Sequence, residues 1–229
     1  MSTPIITVII PAFNEEKSIG KVVSDIPRDL VKHVIVVNNN SNDNTVEVAK
    51  SAGAIVLDEP RRGYGWACLK GIEKSRELKT EIVVFMDGDY SDFPEEITNV
   101  IAPIIETDHD MVIGSRVLGK REKGSLTPQQ VFGNWLATKL IRLFYGAKFT
   151  DLGPFRAIKS DALEQLKMAD KTYGWTIEMQ IKASKEKMKF CEVPVNYRKR
   201  IGVSKVSGTI KGTVLAGIKI IFAVFKYRF

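Results

Sequence analysis

Ile82-Val83-Val84-Phe85-Met86-Asp87-Gly88-Asp89 sets five consecutive apolar residues against two carboxylates one glycine apart. Because the apolar positions are continuous rather than alternating, the run reads as a strand buried on both faces, as in parallel sheets. Four further runs read the same way: Ile5–Ile10, His33–Val37, Ala54–Leu57 and Met111–Gly114. Helical patterns near 15–25, 43–52, 64–78 and 94–106 separate them. Repeated strand–helix units predict an α/β fold, an open and mostly parallel sheet with helices on both faces. Beyond about residue 115 the regularity fades. There 128–146 and 176–187 read as helices, Phe190–Tyr197 as a strand and Val206–Phe229 as a last helix.

The 229 residues are 44% hydrophobic and 27% charged, which excludes disordered, collagen-like and coiled-coil chains. The net charge of +7 is uneven. Residues 185–229 carry 11 basic and 2 acidic side chains, whereas residues 1–184 carry 23 and 25. A near-neutral body with a basic end points to an anionic partner: nucleic acid, an anionic membrane surface or a phosphorylated substrate. Cys68 and Cys191 match neither zinc nor CxxC spacing, so they read as reduced thiols of a cytosolic protein. The first apolar run reads as a strand rather than an export signal. No stretch has the length of a membrane span, and the nearest, Thr213–Phe225, is interrupted by Lys219.

In an open parallel sheet, ligands bind beyond the carboxyl ends of the strands. Three of those ends are polar: Pro11-Ala12-Phe13-Asn14-Glu15, Asn38-Asn39-Asn40-Ser41-Asn42-Asp43 and Asp87-Gly88-Asp89. Asp87 and Asp89 can converge on one hard divalent cation, Mg²⁺ or Mn²⁺, although an acidic turn has the same spelling. Arg62-Gly63-Tyr64-Gly65-Trp66 opens a helix, where glycine lets backbone come close to a ligand. It is neither a Walker loop nor a GxGxxG fingerprint, and a tight loop explains it equally. The amides of Asn38 to Asn40 suit a base or ribose, and equally an Asx turn. Arg198-Lys199-Arg200 followed by Gly202, Ser204 and Lys205 suits a phosphate, and no nucleic-acid recognition motif accompanies it. On a helical wheel, Lys211, Lys219 and Lys226 form a stripe beside a broad apolar arc. This predicts a helix lying in the headgroup region of a membrane. The helix near 130–145 joins that apolar surface or packs in the core.

Taken in order, Pro11-Ala12-Phe13-Asn14-Glu15, Ser41-x-Asp43-x-Thr45, Arg62-Gly63, Asp87-Gly88-Asp89 and Gly114-Ser115-Arg116 resemble family 2 glycosyltransferases of the GT-A fold. Asp151-x-Gly153-x-Phe155-Arg156, Glu178, Glu192-Val193-Pro194-Val195 and Arg200-x-Gly202-x-Ser204-Lys205 look like those of the polyprenyl- and dolichyl-phosphate sugar synthases. The resemblance implies inverting transfer of a hexose from a UDP- or GDP-sugar to a polyprenyl phosphate, on the inner, cytoplasmic face of a membrane and without nucleic acid. It assigns the nucleotide sugar to Pro11, Ala12, Asn14, Glu15, Asn39, Gly63 and Asp87, and the metal to Asp87 and Asp89. It assigns the acceptor phosphate to Arg116, Arg200, Ser204 and Lys205, and catalysis to Asp87, Asp89, Arg116 and Arg200. The implied organisation is a glycosyltransferase domain at 1–205, with a nucleotide-sugar half at 1–115 and an acceptor half at 116–205, then a membrane-surface helix at 206–229. Where the family carries Asp-Asp, this chain has Asn38-Asn39, so the base stays open. Gln129 and Gln130 stand where mannose-transferring relatives carry Arg and Ser. A hydroxyl acceptor would require a carboxylate base, for which Glu178 and Asp151 are the candidates. Two other readings remain: a soluble glycosyltransferase acting on a glycan or small hydroxyl, and a non-catalytic nucleotide- or membrane-binding module.

Overall fold

Ile6, Val8 and Ile10 point to one side of strand β1 (Ile6–Ala12), Thr7 and Ile9 to the other, and all five are buried. Burial on both faces is what its unbroken apolar run predicts. A computed structural model of the chain describes residues 4–202 and 222–227. The remaining strands are β2 (His33–Asn38), β3 (Ile55–Asp58), β4 (Ile82–Phe85), β5 (Met111–Ser115), β6 (Arg156–Lys159) and β7 (Phe190–Pro194). The helices are α1 (Ile19–Asp25), α2 (Thr45–Ser51), α3 (Tyr64–Glu77), α4 (Ile97–Thr107), α5 (Pro128–Tyr145), α6 (Ser160–Leu166) and α7 (Trp175–Lys185).

The strands form one sheet in the order β3-β2-β1-β4-β6-β5-β7. All pairings are parallel except those of β6, which runs antiparallel to both β4 and β5. The expected open, mostly parallel sheet covered on both faces is therefore present. β6 and α6 are additions to the elements read from sequence. The core is double. On one face Ile9, Ile35, Val37 and Phe85 pack with Trp175, whose ring meets Phe85 edge-on at 5.9 Å. On the other, Val8, Ile10 and Val36 pack under Val22, Val23, Val100 and Ile101.

α5 begins with a capping box. The Thr127 hydroxyl accepts from the Gln130 amide, and the Gln130 side chain accepts from the Thr127 amide. Gln130 thus has a local task at the helix start. Gly146, at φ 72°, ends the helix in the left-handed conformation that glycine adopts at least cost. Of α5 only Ala137, Thr138 and Ile141 are buried, so the helix lies on the body as an outer rib. Phe222–Tyr227 returns to it: Val224 is buried, Phe225 packs on Phe144 at 5.3 Å, and the Tyr145 hydroxyl donates to the Val224 carbonyl. The rest of the predicted helix over 206–229 lies outside the described residues. No described helix is long and apolar enough to cross a membrane.

Candidate active site

The parallel strands end on one edge of the sheet, and the predicted residues gather there. Pro11 to Glu15 leave β1, Asn39 follows β2, Gly63 precedes α3, Asp87 and Asp89 follow β4, and Arg116 follows β5. Arg200 lies beyond β7 in sequence but reaches the same edge through backbone pairing. Asp92 and Tyr197 form an antiparallel bridge, the Arg198 amide donates to Ser91 O, and the Ile201 amide donates to Asp89 O. The Arg198 guanidinium stacks 3.4 Å over the Tyr90 ring and donates to the carbonyls of Tyr90 and Asp92. These bonds lay the 197–201 segment on the carboxylate loop. They place Arg200 Nη1 2.8 Å from Asp89 Oδ2. Asp89 Oδ1 accepts from the Ser91 amide and hydroxyl.

Asp87 is less engaged. Burial first, then the neighbouring Asp89 charge, push its pKa up to about 6, against the pull of Arg200 and Arg116. The Tyr64 hydroxyl is buried, its pKa raised by burial and then by Asp87. Asp92 is nearly sealed from solvent with neither carboxylate oxygen hydrogen-bonded, and burial followed by the charges of Asp87 and Asp89 holds its pKa well up. Sequence reasoning missed Asp92. Its only signal is a fourth polar residue after an apolar strand, which any loop supplies.

Arg116 is held by a fork. Its Nε and Nη2 donate to the Asp151 carboxylate at 2.8 and 2.7 Å, and its own amide donates to the same group. Burial pulls the Arg116 pKa down, but the Asp151 charge outweighs it and keeps the guanidinium ionised. Asp151 is braced in turn. Glu192 accepts from the Thr150 and Asp151 amides, Gln180 donates to the Asp151 carbonyl, and Asn134 of α5 grips Thr150 O and the Leu152 amide. Arg156, fully buried, donates to the carbonyls of Leu152, Gly153 and Thr176. The motif residues of the second half are therefore mainly props for Arg116.

Two expectations about bases are corrected here. Asp151 is committed to Arg116. Glu178 is fully buried, accepts from the Ala169 and Asp170 amides and the Tyr227 hydroxyl, and pairs with Lys182 at 2.8 Å. Neither has an oxygen to spare for a substrate proton.

On the nucleotide side the amides are spent within the protein. Asn39 donates to Glu59 O and Arg61 O and accepts from the Gly63 amide, while Asn38 donates to Asp58 and accepts from the Ser41 amide. Gly63 and Gly65 are explained by the protein's own backbone. A Cβ on Gly65 would stand 2.0 Å from Asp170 O, and one on Gly63 2.2 Å from Lys171 O, which accepts from the Trp66 amide. Asn14, at φ 55°, donates its amide to Ser41 and accepts from the Asn42 amide, and the Glu15 amide donates to Thr45. Aromatic and cationic groups also meet there: Arg62 lies over Phe13 at 5.0 Å, and Trp66 lies under Lys171 and under Arg61, which is itself paired with Glu59 at 2.6 Å. Ser204 and Lys205, predicted at the acceptor phosphate, lie outside the described residues. Among the described residues no cluster of three or more His, Cys, Asp or Glu side chains forms a metal cage.

The family model described as glycosyl transferase family 2 matches residues 7–167. Uncharacterized protein MJ1222 of Methanocaldococcus jannaschii is 32% identical over 97% of this chain and 92% of its own length. The UDP-N-acetylglucosamine–dolichyl-phosphate N-acetylglucosaminyltransferase of Methanococcus voltae is 30% identical over 85% of this chain and 86% of its own. Among solved structures, glucosyl-3-phosphoglycerate synthase from Mycobacterium tuberculosis, in complex with Mn²⁺, UDP-glucose and phosphoglyceric acid, superposes with a TM-score of 0.79. The match covers 98% of this chain and 80% of that one at 22% identity, and shows the shared fold.

Proposed function

The chain belongs to glycosyl transferase family 2, and from that premise we propose that it moves one hexose from a nucleotide sugar to a polyprenyl phosphate at the cytoplasmic face of a membrane, with inversion at the anomeric carbon. One observation carries the acceptor assignment. Asp151 and Glu178, the two carboxylates considered as a base, are locked in the scaffold and the unbonded Asp92 is nearly sealed from solvent, whereas the guanidinium groups of Arg116 and Arg200, paired with Asp151 and Asp89, bring two cations to the acceptor side. A phosphomonoester has its second pKa near 6, so it arrives largely dianionic and needs orientation and charge screening rather than a base. The Methanococcus voltae relative is named for a dolichyl-phosphate acceptor, which agrees with that reading.

The residues present fit a divalent cation. Asp87 and Asp89 supply hard oxygen donors from one short loop, and the burial and repulsion that raise Asp87 are what a cation relieves. Such a cation would be held by Asp87 and Asp89 and would neutralise charge on the departing diphosphate. Asp89 already carries a cation, the Arg200 guanidinium. With Asp89 engaged by such a divalent cation, the Arg200 guanidinium would be available to the acceptor phosphate.

Two measurements follow. Arg200→Gln should raise the Mn²⁺ affinity of the free protein roughly fivefold, the upper range for a partly exposed ion pair. The same variant should lower kcat/KM for the lipid phosphate. Titration calorimetry showing weaker Mn²⁺ binding would overturn the competition and leave Arg200 as a group that orients Asp89. The second concerns pH. With its pKa raised in the fold, Asp87 contributes most stability below its ordinary pKa of 3.8, and loses that contribution as pH rises through about 6. Above pH 6 the ionised carboxylate is costly unless a cation binds it. Millimolar Mn²⁺ should therefore raise Tm at pH 7.5 and have little effect at pH 5. Equal shifts at both pH values would remove Asp87 from the metal site.

The test of the whole reading is a panel of nucleotide sugars incubated with a short polyprenyl phosphate or with phosphoglyceric acid, with product masses recorded. Glycosylated lipid phosphate is the expected product. Transfer to the hydroxyl acceptor alone would overturn the assignment.

A further inference from the structure

α5 presents to solvent the side chains that a soluble helix ordinarily hides. Phe132 is 61% exposed, Trp135 53% and Leu143 74%, and Val131 is exposed beside them. At 100° per residue Val131, Arg142, Trp135, Lys139, Phe132 and Leu143 fall within about 120° of one another, so this is one face. Lys139 and Arg142 are interleaved with the apolar residues on it. From Lys123 to Thr150 the chain contains no acidic residue and four basic ones. The helix start adds a shallow apolar cavity of about 520 Å³ lined by Leu126, Pro128, Val131, Phe132 and Trp135. Phe222, 65% exposed, and Phe225 extend the apolar surface where the chain's end packs on Phe144.

We propose that the exposed face of α5, with Phe222 and Phe225, is the surface through which the protein seats on an anionic phospholipid bilayer. The proposal rests on the membrane-surface reading above and names the face that meets the lipid. Three observations select a bilayer over other occupants. Tryptophan and phenylalanine beside lysine and arginine, with no carboxylate, is the chemistry of an amphipathic element in an anionic headgroup layer. A second copy of the chain would bring the same patch to itself, setting Lys139 and Arg142 against their own equivalents without a counter-charge. The buried side of α5 is tied through Asn134 to Thr150 and Leu152, which flank Asp151, the partner of Arg116. The helix whose outer side would meet lipid is thus bonded on its inner side to the segment that holds Arg116, the group proposed to meet a lipid phosphate.

The experiment is co-sedimentation of the full chain with phosphatidylcholine vesicles with and without phosphatidylglycerol. The expected result is binding that needs the anionic lipid and weakens with salt. It should fall about tenfold or more in Phe132→Ser/Trp135→Ser and in Lys139→Glu/Arg142→Glu. These positions are exposed, so both variants should melt as the parent does and turn over a short, water-soluble polyprenyl phosphate normally. Brominated lipid should quench fluorescence in the parent and much less in Trp135→Phe. Unchanged vesicle binding in both double variants overturns the proposal. So does a dimer in solution that dissociates on Trp135→Ser while no vesicle binding occurs. Failure of the acceptor reading is separable: face-dependent vesicle binding without lipid-phosphate transfer keeps the docking face and removes the acceptor. Transfer with face-independent binding does the reverse.

Discussion

Asp89→Asn should reduce sugar transfer at least about 10³-fold, some 4 kcal/mol of transition-state stabilisation, while Tm stays within about 2 °C of the parent. The two halves of the expectation come from different atoms. Oδ1 accepts from Ser91, and an asparagine oxygen in the same place can keep those bonds, so the loop geometry persists. Oδ2 carries the charge that Arg200 neutralises in the described structure and that a divalent cation would meet in the loaded site. An amide there has no charge to offer. Arg200 is partly exposed and tolerates the loss of its partner through solvent. Turnover within tenfold of the parent would remove Asp89 from the reacting centre. A large fall in Tm would show that the residue is structural.

Asp151→Asn should cost about 3–5 kcal/mol of stability, because it leaves the Arg116 guanidinium poorly solvated and uncompensated. In a chain of this size that corresponds to a drop in Tm of about 10 °C. The informative comparison is the double variant Asp151→Asn/Arg116→Gln. Removing both charges should recover most of the lost Tm, since the penalty belongs to the unpaired ion rather than to the fork. Activity should not recover, because Arg116 is proposed to face the acceptor phosphate. If the double variant were as unstable as the single, Asp151 would be stabilising through its bracing bonds with Glu192 and Gln180 instead.

Five of the six parallel strands and most helices were legible because each of those strands is a continuous apolar run and each helix follows a polar turn. β6 was not. Arg156-Ala157-Ile158-Lys159 offers two apolar residues between two cations, and its arginine is buried by bonding carbonyls, which no periodicity reports. The strand-end clusters named from sequence lie together on one edge of the sheet, and what residue type does not report is how they are tied to one another. Asn39 and Gly63 are tied to each other, and the glycines of that loop make room for 170–171. The pairing of Arg200 with Asp89 joins positions over a hundred residues apart through the 197–201 backbone, beyond the reach of any local pattern.

The antiparallel insertion of β6 has a consequence for how this polypeptide is made. β4 and β5 are synthesised first but are never neighbours in the sheet; β6, made later, lies between them, and β5's other partner, β7, is later still. A nascent chain ending near residue 115 therefore bears Met111–Ser115 without a native partner and β4 with one bare edge. The vacancy beside β4 invites β5 to add in parallel, in the slot that β6 must take. Premature closure is the characteristic trap of such an order, and exposed edges of this kind are where aggregation starts. Biogenesis thus cannot run half by half: the N-terminal part must wait for residues 156–159, and its dependence on chaperones should be greatest in that interval.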